Sequence, residues 1–367
     1  MESLNFHMVL RNYFPICFLN NDELLLSKRN KIFVLSLKAK KLNYFLSLRT
    51  SLKQNLIGKV YIASRLLRLG IRYGLITDDH KLLIVYDNSI FEIDLDNLEN
   101  IYSYDIKRGR QPLSISIIKN ILGFEDIVCF GEYFNNPCKE AVNIYRKTNL
   151  NNWEVIYSFP KGAINHVHSI VPDKFNNCVW ILTGDFGNAA TIWIATDNFK
   201  KVSPVSSGDQ LFRSCVAFPT PDGLIYATDS QFQQNSIRLL CKLNDVWISK
   251  RVSNVNGPVI YGCIHGGNFV FSTSVEGLSY EKSGVFKFLD REIAPGIREG
   301  FSHIIYGNLK DGFKVIYKNE KDYLPFILFQ FGVIQFPNGL NNSDFLVMHN
   351  TSLKSHDYST CIINLKF

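Results

Sequence analysis

The sequence feature that most constrains the fold is a strand–turn–strand unit that recurs along the chain. In each unit a short apolar run ends in polar or small residues, and a second, alternating run begins a few residues later. Four units end their first run on a carboxylate, Glu132, Asp185, Asp229 or Glu276, so the spacings are 53, 44 and 47 residues. Short strands bounded by turn residues at regular spacing indicate an all-β protein, and a period in this range indicates a repeat architecture.

Four short strands fit into each repeat of about 45 residues, which is the size of one β-propeller blade. The 367 residues therefore predict a single β-propeller domain over residues 1–367 with seven four-stranded antiparallel blades, while six or eight remain open. The C-terminal strand, residues 360–365, would complete the first blade. A β-sandwich or two separate β-domains is the alternative, but no Gly/Ser-rich or Pro-rich linker divides the chain.

Composition and charge exclude several classes of protein. Hydrophobic residues make up 46% and charged residues 20%, which excludes a disordered chain. The net charge of +7 is spread without a nucleic-acid reading module, so we expect no nucleic acid partner. None of the eight cysteines forms a C-x-x-C pair, which indicates free thiols rather than a zinc knuckle. The chain shows no signal peptide and no apolar run of membrane-spanning length, so we expect a cytoplasmic protein without a membrane span.

Two histidines mark the stretch of the chain that carries candidate chemistry. His166 and His168 have i, i+2 spacing, so their side chains share one face if the segment is a strand. Such a pair can bind a metal, transfer protons or bind substrate, or form a structural hydrogen-bonded pair. No third ligand follows at a recognisable spacing, so we expect no metal and no cofactor, and we favour proton transfer or substrate contact because the pKa of histidine lies near neutrality.

The carboxylates at the strand ends form a second set of candidates. Glu132, Asp185 and Asp229 follow apolar runs in different units, so blade symmetry would bring them to one rim of the propeller. Each carboxylate could instead cap its own turn. Three of them on one rim favour a shared pocket.

Two arginines, a glutamine and two tyrosines complete the candidates. Arg213 and Gln210 stand at the start of an apolar strand, where Arg213 either pairs with a rim carboxylate or binds a ligand carboxylate. Arg110 is a second candidate for binding an acidic substrate. Tyr133 and Tyr226 could supply an acid/base hydroxyl or a surface for sugar rings, or could belong to the core.

Several motifs between about residues 105 and 280 resemble those of the sialidase-like (BNR/Asp-box) propeller family, particularly its glycosidase-like members. The motifs are Phe130-Gly-Glu-Tyr, His166-Val-His-Ser-Ile, Trp180-Ile-Leu-Thr-Gly-Asp, Ser207-Gly-Asp-Gln-Leu-Phe-Arg and Tyr226-Ala-Thr-Asp. The resemblance implies a carbohydrate-active propeller. The segment that ends at Trp153 also has the outline of an Asp-box turn. The Arg-Ile-Pro motif of true sialidases is absent from the sequence.

The resemblance and the residues together predict an enzyme that acts on an acidic oligosaccharide or polysaccharide, in surface polysaccharide metabolism. Propeller polysaccharide lyases use His and Tyr for proton transfer and Arg to neutralise a uronate carboxylate, and His166, His168, Tyr226 and Arg213 supply these residue types. If the enzyme is a glycoside hydrolase instead, Glu132, Asp185 and Asp229 are the candidates for acid and nucleophile. The alternative function is a non-catalytic propeller that binds glycan or protein.

Overall fold

The short apolar runs become strands, and the polar residues between them become turns. The computed structural model describes residues 5–49, 61–67, 69–109, 111–149, 151–278, 284 and 288–365. Within these residues, 28 strands form seven four-stranded antiparallel sheets. The protein is therefore a seven-bladed β-propeller, and the prediction of its fold class is confirmed. Arg110, a predicted substrate-binding residue, lies outside the described residues.

The chain divides into two compact units, Met1–Ile76 with Asn256–Phe367 and Thr77–Val255. The strands of the first unit are β1 (Phe6–Arg11), β2 (Phe14–Phe18), β3 (Glu23–Lys28), β4 (Lys31–Ser36), β5 (Lys41–Ser47), β6 (Tyr73–Ile76), β22 (Val259–His265), β23 (Asn268–Thr273), β24 (Phe301–Asn308), β25 (Gly312–Glu320), β26 (Val333–Gln335), β27 (Phe345–Thr351) and β28 (Ser359–Asn364). The unit also contains two short helices, Tyr61–Leu67 and Phe326–Phe329.

The second unit contains β7 to β21 and carries most of the predicted site residues. Its strands are β7 (Lys81–Tyr86), β8 (Ser89–Asp94), β9 (Ile101–Asp105), β10 (Ile115–Ile118), β11 (Ile127–Gly131), β12 (Val142–Lys147), β13 (Trp153–Phe159), β14 (His166–Asp173), β15 (Cys178–Gly184), β16 (Thr191–Thr196), β17 (Lys201–Ser207), β18 (Ser214–Thr220), β19 (Gly223–Thr228), β20 (Ser236–Leu243) and β21 (Val246–Asn254). Single-turn 3₁₀ helices lie at Gly187–Ala189 and Gln210–Phe212.

Six of the sheets follow the chain in order, and the seventh combines the two ends of the described chain. The six have the orders β2-β3-β4-β5, β6-β7-β8-β9, β10-β11-β12-β13, β14-β15-β16-β17, β18-β19-β20-β21 and β22-β23-β24-β25. The seventh has the order β1-β28-β27-β26. In it the C-terminal strand β28 pairs with β1, so that Arg11 lies opposite Ser359. The assignment of the whole chain to a single domain stays a prediction.

Strand β15 shows why the apolar runs are continuous. All seven of its residues are buried. Val179 and Ile181 pack into one hydrophobic cluster with residues of β10 to β14, while Trp180 and Leu182 pack into another with residues of β18 to β20. A strand that is buried on both faces needs apolar residues at successive positions rather than at every second one.

The turn between β14 and β15 is fixed by a buried aspartate. Asp173 accepts hydrogen bonds from the backbone N–H groups of Phe175 and Asn176 and from the indole of Trp180, at 2.9, 3.0 and 2.8 Å. Asn177 closes the turn with a φ of 49°, a left-handed conformation that asparagine tolerates better than most residues. The turn therefore sets the register of the two strands that lead to His166, His168 and Asp185.

The described residues contain no helix that is both long enough and apolar enough to cross a membrane. All eight cysteines lie within the described residues and have free thiols. Cys17, Cys129, Cys178 and Cys361 are buried, and Cys138 is exposed.

Candidate functional site

Two imidazole rings meet at the start of β14. His166 and His168 are both buried, and their Nε2 atoms are 3.0 Å apart. The pairing of β14 with β15 is irregular between Val167 and Ser169. Gly184 on β15 leaves the room for the second ring, because a Cβ at this position would lie 2.2 Å from Cε1 of His168.

Backbone carbonyl groups determine which nitrogen of each ring carries hydrogen. Nδ1 of His166 lies 3.2 Å from the carbonyl oxygen of Phe134, and Nδ1 of His168 lies 2.9 Å from that of Ser214. A carbonyl oxygen can only accept a hydrogen bond, so each Nδ1 is the donor. In the neutral form of each ring, Nε2 therefore presents a lone pair, and the two lone pairs point toward the same small space.

Asp185 brings a carboxylate into that space. The residue directly follows β15, and its Oδ1 lies 3.5 Å from Nε2 of both histidines. Its backbone is held from two sides, since its N–H donates to Oδ1 of Asn165 at 3.2 Å and its carbonyl oxygen accepts from the amide of Gln210 at 2.8 Å. Gln210, predicted to bind substrate, thus holds the backbone of Asp185.

The pKa of Asp185 reflects opposing influences. Burial acts to raise its pKa, but the polar groups around the carboxylate, His166, His168 and the positively charged Arg213, outweigh burial and hold the pKa well below its usual value. The side chain is 25% exposed, so the carboxylate can be reached from solvent. Asp185 is therefore an ionised group at neutral pH.

Arg213 links Asp185 to a second carboxylate. Its Nη2 lies 3.4 Å from Oδ1 of Asp185, and its Nε lies 3.3 Å from Oδ2 of Asp229. Of the two roles that the sequence left open, the structure shows pairing with strand-end carboxylates. We call His166, His168, Asp185, Arg213 and Asp229 the Asp185 cluster. With both imidazoles neutral, its one guanidinium and two carboxylates leave one net negative charge.

Aromatic rings border the Asp185 cluster. The ring of Tyr133 is half-buried, and its centroid lies 4.4 Å from that of His166. The guanidinium of Arg213 lies over the ring of Phe186 at 5.2 Å. Phe186 and Phe232 are 39% and 38% exposed, and their ring centroids are 6.0 Å apart. These rings offer apolar surface for a ligand beside the charged groups.

Glu132 belongs to a different set of contacts. It is buried, forms an ion pair with Arg108, and accepts hydrogen bonds from the backbone N–H of Asn143 at 2.8 Å and the hydroxyl of Tyr145 at 3.2 Å. Of the three carboxylates expected to share a pocket, Arg213 joins two, Asp185 and Asp229. The third, Glu132, pairs with Arg108 instead.

Tyr226 is part of the hydrophobic core. It is fully buried on β19, and its hydroxyl donates to the carbonyl oxygen of Leu211 at 3.0 Å. The same hydroxyl lies 2.7 Å from the side-chain hydroxyl of Ser249. Burial raises its pKa. These contacts assign Tyr226 to packing, so we leave it out of the candidate site.

Sequence reasoning did not select three residues that shape the site: Asn165, Phe186 and Cys215. The thiol of Cys215 lies 3.4 Å from Oδ2 of Asp229, and burial raises its pKa. Asn165 lies beside His166 in the sequence, and Phe186 lies beside Asp185. Adjacency to a candidate residue could therefore have pointed to these two as part of the site.

Comparisons with known proteins agree with the fold. No family model matches the chain, and no curated protein matches it, so the resemblance to sialidase-like propellers stays a prediction. The Cps50 (Swd1) β-propeller domain of Myceliophteria thermophila superposes with a TM-score of 0.58 at 9% identity, covering 99% of each chain. The AfRom2 CNH domain gives a TM-score of 0.53 at 8% identity, covering 100% of this chain and 98% of the other.

An enzyme is also among the similar solved structures. An oligogalacturonate lyase in complex with manganese superposes with a TM-score of 0.53 at 11% identity, covering 97% of this chain and 90% of the other. Identities this low show the fold alone, and one fold serves many functions. The function must therefore be argued from the site.

Proposed function

We propose that this protein is a carbohydrate-active enzyme that cleaves an acidic glycan at the Asp185 cluster by β-elimination. The observation that carries the proposal is the convergence of two imidazole nitrogens and one carboxylate oxygen within 3.5 Å of one another, beside the half-buried ring of Tyr133. Buried titratable groups held together in this way are more frequent at active sites than elsewhere. An oligogalacturonate lyase has a similar fold, so the fold is compatible with an acidic glycan as substrate.

Elimination suits these residues better than hydrolysis. A glycoside hydrolase needs one carboxylic acid that keeps its proton at the working pH, which requires a raised pKa. The pKa of Asp185 is lowered instead. Glu132 is engaged by Arg108 and by the backbone of Asn143. The carboxylates are therefore suited to hold positive charge rather than to donate a proton.

In the proposed reaction, a base removes the proton on the carbon that bears the uronate carboxylate. The electron pair of the broken C–H bond forms the new C=C bond, the glycosidic C–O bond breaks, and the leaving oxygen takes up a proton. Tyr133 is the side chain we assign to proton transfer, since it is half-buried and its ring lies against His166. Phe186 and Phe232 would contact the sugar rings.

The charge of the cluster sets a condition on this reaction. Negative charge develops on the uronate carboxylate in the transition state, and it must be stabilised by positive charge in the site. Arg213 is already shared by Asp185 and Asp229, and the cluster as a whole is negative when its histidines are neutral. The reaction therefore needs a further positive charge at the cluster.

The test uses a panel of uronate-containing oligosaccharides with the wild type and Tyr133→Phe. We expect the wild type to produce the ultraviolet absorbance of an unsaturated uronate and Tyr133→Phe to lower the rate at least about 100-fold, the range of general acid–base catalysis. Tyr157→Phe, in the half-buried part of β13, is the control and should retain the wild-type rate. Reducing ends without the absorbance would establish hydrolysis and refute elimination.

A non-catalytic propeller that binds glycan or protein is the second candidate. The burial of four of the five side chains of the Asp185 cluster favours it, because His166, His168, Arg213 and Asp229 could then act as a structural brace. Binding of an acidic oligosaccharide without any cleavage product, unchanged in Tyr133→Phe, would support this function over the enzyme.

A further inference from the structure

The hydrogen bonding of the two histidines leaves their facing nitrogens without a shared hydrogen. Both Nδ1 atoms donate to backbone carbonyl groups, so in the neutral rings two Nε2 lone pairs face each other at 3.0 Å. A hydrogen bond between them would require one ring to be an imidazolium. The arrangement calls for an electron-pair acceptor between the two rings.

We propose that Nε2 of His166, Nε2 of His168 and Oδ1 of Asp185 bind a divalent first-row transition-metal ion. The three atoms form a triangle with sides of 3.0, 3.5 and 3.5 Å. The point equidistant from its corners lies about 1.9 Å from each, close to the roughly 2.0–2.2 Å of metal bonds to histidine nitrogen and carboxylate oxygen. An ion slightly above the plane of the triangle meets these bond lengths without any movement of the side chains.

The surroundings of the three atoms are those of a metal site. A histidine bound to a metal nearly always donates its other ring N–H to a carbonyl or carboxylate, which orients the ring. Both rings have this contact, with Phe134 and Ser214. The side chain of Arg213 orients Asp185 at 3.4 Å. Three ligands from the protein leave positions for water or substrate on the ion.

Charge and donor type select the kind of ion. Two imidazoles and one carboxylate suit first-row transition metals better than Mg²⁺ or Ca²⁺, which prefer oxygen ligands throughout. A divalent ion would change the charge of the Asp185 cluster from one net negative to one net positive. The metal site stands without the proposed elimination, but it would supply the positive charge that the elimination needs.

Titration calorimetry of the full-length protein with MnCl₂, after removal of metals by a chelator, tests the proposal. We expect one Mn²⁺ per chain, and nitrogen hyperfine coupling in the electron paramagnetic resonance of the complex. His168→Gln should weaken Mn²⁺ binding by about tenfold or more. His349→Gln replaces a buried histidine outside the cluster and is the matched control, in which binding should equal that of the wild type.

Asp185→Asn provides a second variant, because its side chain is partly exposed and nearly unchanged in size. It too should weaken Mn²⁺ binding about tenfold or more while the circular dichroism spectrum stays that of the wild type. Absence of Mn²⁺ and Zn²⁺ binding by the wild type, or equal binding in the wild type and both variants, would overturn the proposal. A bound ion without glycan cleavage would reject the proposed function alone, and glycan cleavage by a wild type that binds neither Mn²⁺ nor Zn²⁺ would reject the metal site alone.

Discussion

Replacing Arg213 by methionine tests whether the Asp185 cluster is held together by charge. The guanidinium lies 3.4 Å from Asp185 and 3.3 Å from Asp229, and only 7% of the side chain is exposed. Methionine keeps much of the volume but leaves the two carboxylates without their shared cation. Removal of one partner of a buried ion pair costs about 3–5 kcal/mol, because the charge left behind is poorly solvated. We expect Arg213→Met to lower the free energy of unfolding by that amount.

Arg146 offers a matched control on the surface of the same unit. It also pairs with two carboxylates, Glu125 at 2.8 Å and Glu154 at 2.6 Å, but 30% of its side chain is exposed. Water screens such a pair, and its contribution to stability is about 0–1 kcal/mol. Arg146→Met should therefore cost much less than Arg213→Met, although the number of broken ion pairs is the same.

The assay is urea unfolding followed by tryptophan fluorescence, with chelator in every buffer so that bound metal ions do not compensate. The double variant Arg213→Met with Asp229→Asn should recover part of the lost free energy, since only one carboxylate then lacks the guanidinium. If Arg213→Met is as mild as Arg146→Met, or if the double variant is less stable than Arg213→Met alone, charge balance does not hold the cluster together.

Two further predictions concern the rest of the propeller. Burial lowers the pKa of His349 to about 3 in the folded state, whereas histidine in an unfolded chain has a pKa of about 6.5. Between pH 3 and pH 6.5, as these two pKa values set it, the unfolded state therefore binds a proton that the folded state does not. Stability should then fall as the pH is lowered, and between pH 7 and pH 5 the wild type should lose about 2 kcal/mol more than His349→Gln in urea unfolding; equal losses would contradict the shift. Asn151 donates to the carbonyl oxygen of Ile90 at 2.7 Å and accepts from the indole of Trp153 at 2.8 Å, with a φ of 55°. Asn151→Ala should cost about 2–4 kcal/mol through these two buried hydrogen bonds and the left-handed backbone, whereas Asn151→Gly should cost less, and equal costs would show that the backbone is not strained.

The fold could be predicted because its information is local and repeated. For example, the apolar run that begins at Leu83 and the alternating run that begins at Ile90 lie in β7 and β8, which pair with Ile84 opposite Phe91. Each blade repeats this pattern of strand, turn and strand, so the period alone gave the number of strands per blade and the range for the number of blades. The same pattern could not separate residues that pack in the core from residues that line a site, which is why Tyr226 was a candidate.

The partners of Arg213 and Glu132 could not be identified from the sequence, because each of these ion pairs joins residues that are far apart in the sequence. Arg213 lies 28 residues after Asp185 and 16 before Asp229, and no spacing rule relates strand ends in different blades. Glu132 was expected to join these carboxylates because it ends an equivalent strand. Arg108, two residues before the candidate Arg110, binds it instead. Equivalent positions in different blades thus acquire different partners, and sequence periodicity carries no information on those partners.

A comparison of the histidine pair with a buried histidine outside the Asp185 cluster bears on which function the cluster serves. His303 is buried as well, but its Nδ1 faces the side-chain amide of Asn256 at 3.0 Å and its Nε2 faces the carboxylate of Glu299 at 3.2 Å. Nδ1 of His303 therefore has an amide group beside it, and Nε2 has a carboxylate within ion-pair distance but without hydrogen-bond geometry. In His166 and His168, by contrast, the two acceptor nitrogens face each other and a carboxylate. Local conflicts of this kind concentrate at functional sites in natural proteins, and a divalent ion removes this conflict while a structural role leaves it in place.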